Sequence, residues 1–462
     1  MAKSDLILAG DALLTMDAEN SVIPMGALLI RDGRIEAVGP ISELAPANPD
    51  IIVKYVPNTV LMPGLINAHA HSGILRGTAE HLPVWEWLRL HIDPMHRVLQ
   101  AHEAEIASWL CYAESVLGGT TTVVDMWRFM EGSAKAAEAI GNRIVAVPYV
   151  GEHPDYDYFD TLDMNEALIE SWHRKAGGRV NVWVGLEHLF YADEAGQRRI
   201  IQMANAHKTG FHTHCSESAI ELPEFDRIYG KRPMFALQDL GFFDVPRLLI
   251  AHAVWLDQSE VDLIARYPVS VSHNPISNMK LASGFAPVSE LLAAGVPVGI
   301  GTDGEKENNN FDLFEEMKVV SLLGKLRAND AAAMDSWQVL RMATILGAKA
   351  IGLDHEIGSL EIGKRADVIA VRTDTPRMTP VFAEGPYFNL QHNLVHGVRG
   401  QDVGLTMVDG EILVEDGELK TANLADIIAE VHRVVPGLFA RRAAYLAEHA
   451  EGTPLWTQKG KN

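Results

Sequence analysis

The feature that most restricts the fold is a change of period along the chain. From about residue 59 to 358, short β-type runs alternate with longer helical stretches. TTTVVDM precedes KAAEAIG, NVWVGLEH precedes AGQRRIIQMANAH, RLLIAHAV precedes QSEVDLIARY, and VSVSHNP precedes PVSELLAAG; VPVGIGTDG comes near the end. Strands alternating with helices pair in parallel, because a crossover helix returns the chain to the same end of the sheet. About eight such repeats over roughly 300 residues predict a (β/α)8 TIM barrel, fold class α/β, with its chemistry at the C-terminal ends of the strands.

The flanks read differently. Residues 1–58 read as all-β, with Arg-Asp-Gly at 31–33 marking a hairpin. Residues 359–421 return to that pattern in ADVIAV and in LTMVDGEILVEDGEL, which carries an Asp-Gly turn at 409–410. Both ends together predict one small β-sandwich domain beside a barrel of residues 59–358. Residues 422–462 read as a closing helical segment with a break near Pro436.

Composition narrows the partners. Asp plus Glu number 61 against 39 Lys plus Arg, a net charge of −22, which disfavours nucleic acid. The two cysteines, Cys111 and Cys215, are too few for a disulfide framework, and the N-terminal run is broken by Gly and Asp. The expectation is a cytoplasmic protein with a small-molecule substrate and no membrane span.

Polar residues stand where the predicted strands end. His69 and His71 close VLMPGLIN, His212 and His214 close TGF, His252 follows RLLIA and Asp303 follows VPVGIGT. Residues two apart on a strand face the same way, so each His pair can face the barrel mouth. Imidazole and carboxylate groups converging from separate strands are what a divalent metal requires.

PGLINAHAHSGILRG, HTHCSES, AHAVWLD, VSHNPISNMKLASGFAPV, GIGTDG, NNFDLFEEMK and GSLEIGKRADVIAV together resemble the amidohydrolase superfamily. The nearest branch in pattern contains the S-adenosylhomocysteine/methylthioadenosine deaminases and the triazine hydrolases. The resemblance implies metal ligands at His69, His71, His214 and Asp303, with Asp303 also the general base, Glu217 the proton donor and His252 orienting the nucleophile. It implies hydroxide attack on an amidine-like carbon, release of ammonia or an amine, and a homo-oligomer. His212 is expected to pack one pleat below His214. Strand 4 ends VGLEHLF without a lysine, so one metal ion is expected, zinc by default with iron or nickel fitting the same ligands.

Two departures bear on the substrate. His188 matches a substrate-binding histidine of the nucleoside-type deaminases, but EHLFYADE replaces their Pro-Tyr continuation; GEKENNN follows Asp303 where small residues are usual. Glu187, Glu305 and Glu307 are therefore candidates to face the pocket, and the expectation is a planar, nitrogen-rich, cationic guanidine, biguanide or aminotriazine. The alternatives are S-adenosylhomocysteine/methylthioadenosine deamination and chlorotriazine hydrolysis. Trp85 and Trp87, in the loop after strand 1, are candidates to stack on a flat substrate.

Overall fold

A computed structural model describes residues 5–153, 158–449 and 452. Its centre is a closed parallel barrel. The strands are β1 Leu65–His71, β2 Thr120–Trp127, β3 Arg143–Pro148, β4 Val184–His188, β5 Phe211–Cys215, β6 Leu248–His252, β7 Val269–His273 and β8 Val298–Ile300. Neighbours pair in that order, and β8 pairs with β1 through Ile300 and Asn67. The ring closes at β4. Val180–Val182 pairs with β3, and beyond Trp183 the same chain pairs with β5. These strands are buried along their whole length, as Val-, Ile- and Ala-rich parallel strands sandwiched by helices must be.

Helices follow the strands and start where the sequence offers caps. The Asp193 side chain accepts the Gly196 N–H at 2.8 Å ahead of Glu194–His207, and Asp257 with Glu260 forms a capping box ahead of Gln258–Ile264. After β1 the crossover is longer. It runs through Val84–Trp87, a wide π-type turn Leu88–Ile92 and Asp93–Val98 before the packing helix Ala101–Leu117. This insertion covers the C-terminal face of the barrel.

The chain ends meet in one nine-stranded sheet, as expected. Ile52–Pro63 pairs in parallel with Leu6–Leu14 and antiparallel with Val368–Arg372, which carries the C-terminal hairpins. Leu8, Leu28, Leu61, Val368 and Met407 share its core. Both Asp-Gly turns adopt the left-handed pairs a tight hairpin needs: Asp32 and Gly33 at φ 48° and 74°, Asp409 and Gly410 at 56° and 80°.

The structure corrects two local expectations. Residues 1–58 are not all-β: a helix, Ile41–Ala47, follows the strand Arg34–Pro40. The closing helix, described to residue 449, runs unbroken from Leu424 to Glu448 through Pro436. Val434 and Leu438, on either side of the proline, are buried, and this packing outweighs the one lost hydrogen bond. Arg441 adds an ion pair to the buried Glu103, and Arg442 bonds the Leu90 carbonyl at 2.7 Å. No helix among the described residues is long and apolar enough to cross a membrane, and both cysteines are free and buried.

Candidate active site

His69 and His71 close β1, His212 and His214 lie on β5, His252 closes β6, and Asp303 lies just past β8, where it pairs with Ala70 of β1. Main-chain carbonyls fix the histidine tautomers. His71 Nδ1–H donates to the Met126 carbonyl at 2.6 Å, and His214 Nδ1–H donates to the Glu187 carbonyl at 2.6 Å. His212 Nδ1–H donates to the Leu249 carbonyl at 2.8 Å, so its Nε2 is a lone pair, and it accepts from His69 Nδ1–H at 2.8 Å. Burial holds all four imidazoles below their ordinary pKa, and therefore neutral.

His69, His71 and His214 thus present unprotonated Nε2 atoms to one another. His214 Nε2 lies 3.2 Å from both His71 Nε2 and His69 Nε2, and Asp303 Oδ1 lies 3.3 and 3.4 Å from the Nε2 atoms of His71 and His69. No proton is available between the nitrogens, so the short contacts are not hydrogen bonds. A tetrahedral ion with arms of about 2.05 Å has ligand–ligand edges of about 3.3 Å. His69, His71 and His214 offer three neutral nitrogens that could hold one divalent ion, and Asp303 stands at the same spacing from His69 and His71. Burial opposes ionisation of Asp303, but its surroundings, with His252 facing it, hold the carboxyl well below the usual range, so it stays ionised.

The segment after β7 supplies a supporting shell. Ser277 Oγ donates to Asp303 Oδ2 at 2.7 Å, Asn278 Oδ1 accepts from His252 Nδ1 at 2.9 Å, and Ser283 Oγ donates to Glu217 at 3.1 Å. His252 Nε2 is left facing Glu217 Oε2 and Asp303 Oδ2, each at 3.8 Å. Burial raises the Glu217 carboxyl above its ordinary pKa. At β1, Asp125 accepts both the main-chain N–H of Ser72 and its hydroxyl, at 2.8 and 2.7 Å, and fixes the exit from the His-X-His turn.

A cavity opens over this cluster, lined by His71, His214, Glu217, His252 and Asp303 on the strand side. Trp87, Leu88, Ile92 and His96 come from the insertion after β1; Tyr149, Glu187, Leu281, Lys306 and Glu307 complete the wall. Trp87, Glu187 and Glu307 therefore lie where the sequence places them. Trp85, His188 and Glu305 do not. Trp85 Nε1–H is turned to Ser218 Oγ at 3.1 Å, and His188 Nε2 to Glu221 at 3.1 Å. Glu305 tucks under the main chain of Gly73 and accepts the Leu75 N–H at 2.9 Å.

The sequence reading misses His96, Tyr149, Ser277, Asn278 and Ser283. The last three lie inside the quoted motif VSHNPISNMKLASG, so polar residues just past a barrel strand were the available signal. Tyr149, the residue just past β3, carries the same signal; His96 carries none, because only the fold of the insertion brings it to the cavity.

Residues 60–413 match the model of the Amidohydrolase family, and residues 26–50 match an imidazolonepropionase-like composite domain of bacteria. The chain belongs to the amidohydrolase family. Among similar amidohydrolases is a 5-methylthioadenosine/S-adenosylhomocysteine deaminase of Thermoanaerobacter pseudethanolicus, 35% identical over 95% of this chain and 100% of that one. A 5'-deoxyadenosine deaminase of Methanosarcina acetivorans is 36% identical over 96% and 100%. The crystal structure of an adenosine deaminase from Xanthomonas campestris with bound zinc superposes with a TM-score of 0.88, at 29% identity over 95% of this chain and 99% of that one.

Proposed function

We propose that this amidohydrolase is a one-zinc hydrolytic deaminase acting on an amino-substituted heteroaromatic ring, with adenine-type nucleosides as the first substrates to test. The observation that carries the reading is the set of three unprotonated Nε2 atoms and one carboxylate oxygen converging at 3.2–3.4 Å, with Glu217 and His252 beside it. Whole-length similarity to adenosine-type deaminases supports the substrate class. It does not support the guanidine or biguanide expected from the acidic loop, and it favours the nucleoside alternative.

In this reading His69, His71, His214 and Asp303 would hold the metal, which would supply Lewis acidity and lower the pKa of water toward neutral. Asp303, ionised and held by Ser277, accepts the water proton. His252, fixed through Asn278, orients the nucleophile and steadies the charge that develops as oxygen adds to the amine-bearing carbon. Glu217, whose burial favours the acid form, protonates the adjacent ring nitrogen. The amine takes the proton held on Asp303 and leaves as ammonia, and the hydroxyl proton passes back to Glu217 as the carbon becomes a carbonyl. Trp87 packs on the ring face. A reducing cytoplasmic setting accords with the two buried free thiols.

The test is elemental analysis joined to an ammonia-release assay on adenosine, 5'-deoxyadenosine, 5-methylthioadenosine and S-adenosylhomocysteine. One zinc per chain with ammonia release is expected. A metal-loaded protein that releases none from these compounds or from simpler aminopurines would sink the deaminase reading.

A further inference from the structure

Several buried polar atoms around the cavity have no partner among the described residues. Glu307 Oε2, Glu187 Oε2 and both ring nitrogens of His96 are buried and make no hydrogen bond among the described residues. Such atoms are rare in folded proteins, because each forfeits its hydration for nothing. Here they all line one cavity, and it is the cavity over the metal cradle.

The Lys306–Glu307 pair is built into this wall. Lys306 Nζ lies 3.1 Å from Glu307 Oε1, and the two residues are 3% and 4% exposed. They rest on the main chain beside Asp303: a Cβ at Gly304 would lie 2.1 Å from Glu307 Oε2 and 2.7 Å from Lys306 Nζ. The ammonium also faces the rings of Trp127 and Trp87, at 5.8 and 6.0 Å from their centroids. A buried ion pair loses more in desolvation than it regains unless its remaining lone pairs are met. Glu307 offers an oxygen within 4.8 Å of the ligand atoms of His71 and Asp303, so whatever meets it lies next to the reacting centre.

We propose that Glu307, seated by Lys306, forms with Glu187 and His96 the subsite that selects the substrate, and that it takes an edge carrying at least two hydrogen-bond donors. The unmet set is acceptor-rich. With the carboxyls ionised it holds two carboxylate oxygens and one imidazole lone pair against one imidazole N–H, so its complement is a donor edge; burial pushes both carboxyls up, Glu307 to about 8, and donors that meet them favour the ionised form. Two chemistries supply one: the vicinal hydroxyls of a ribose, or a second amino group on the ring. An apolar edge would leave the carboxyls unpaired, and sites built this way reject analogues lacking the donor by factors up to about 10⁴–10⁵. The inference rests on the deaminase reading for its position beside the reacting carbon.

The experiment uses the zinc-loaded protein and two matched pairs: adenosine with 2',3'-dideoxyadenosine, and 2,6-diaminopurine with adenine. If the diol is the ligand, adenosine is preferred over its dideoxy analogue. If the amino edge is, 2,6-diaminopurine is preferred over adenine. In the preferred pair, Glu307→Gln and, separately, Glu187→Gln raise KM for the donor-bearing member about tenfold or more, with a smaller change in kcat and unchanged KM for the analogue. Zinc content and Tm confirm that each variant is folded and loaded. Equal handling of both members of both pairs by the native protein overturns the proposal, as does a KM change shared by donor-bearing and donor-lacking compounds. If a fully loaded protein releases no ammonia from any compound, the deaminase reading fails. Calorimetric binding of the same pairs then decides the subsite, with the same donor preference expected if it stands and no preference if it does not.

Discussion

Two walls of one cavity handle their polar atoms in opposite ways. On the strand side, His71, His214 and His212 each give an Nδ1–H to a main-chain carbonyl at 2.6–2.8 Å, and His69 is tied in through His212. On the loop side, His96 and Glu307 hold buried atoms with nothing to bond, joined by Glu187 from the end of β4. The strand wall is rigid because its partners are neighbouring strands of a closed barrel, and it leaves over only the lone pairs that converge. The loop wall is assembled from an insertion and a short loop, and it leaves over groups of mixed chemistry. One arrangement suits an invariant reaction, and the other suits recognition of a ligand.

The largest expected effect breaks the chemistry without touching the cradle. Glu217→Gln removes the proposed proton donor and should lower kcat/KM by about 10²–10⁴-fold, with zinc still at one per chain. Retained activity would move the acid elsewhere. Next comes the hidden relay of the strand wall. His212→Leu deprives His69 Nδ1–H of its acceptor and should weaken zinc binding by about 10–100-fold in competition with a chelator. Unchanged affinity would mean that the strand wall owes nothing to this contact.

A smaller effect probes the insertion. Burial pushes the Asp93 carboxyl up to about 7. Its folded pKa then exceeds its unfolded value of about 3.9, so the native state binds this proton more tightly. The stability it contributes is present below about pH 4 and is lost as pH rises toward 7. Asp93→Asn should therefore flatten this part of the Tm–pH profile and raise Tm at pH 8, a gain on the order of 2 kcal/mol. A variant with the native profile would show that Asp93 is solvated. The smallest effect concerns the strap over the insertion. Arg441→Met removes a one-third-exposed guanidinium from the buried Glu103 and the Val98 carbonyl, and should cost about 1.5 kcal/mol, read as a fall in Tm with kcat unchanged.

The same contrast explains what could be read before the fold was known. His69, His71, His214, His252 and Asp303 were legible because a strand has period two and a barrel presents its strand ends on one face. Loop residues have no such period. Trp85 and Trp87 stand two apart, yet one bonds Ser218 and the other lines the cavity. Glu305 and Glu307 do likewise, one drawn under Gly73 and the other onto Gly304, because close approach to a glycine main chain decides each direction.

By itself the sequence determined the barrel, the sheet made from both chain ends, and which strand-end residues meet, since these follow from residue type, period and spacing. Only the tertiary structure decided which nitrogen of each histidine is free. The carbonyls that choose the tautomer belong to residues 27 to 55 positions away in the chain, brought within 2.6–2.8 Å by strand pairing. It likewise decided that His96 faces the cavity while His188 and Glu305 do not. Such directions are set by packing between segments distant in sequence, and no local pattern encodes them.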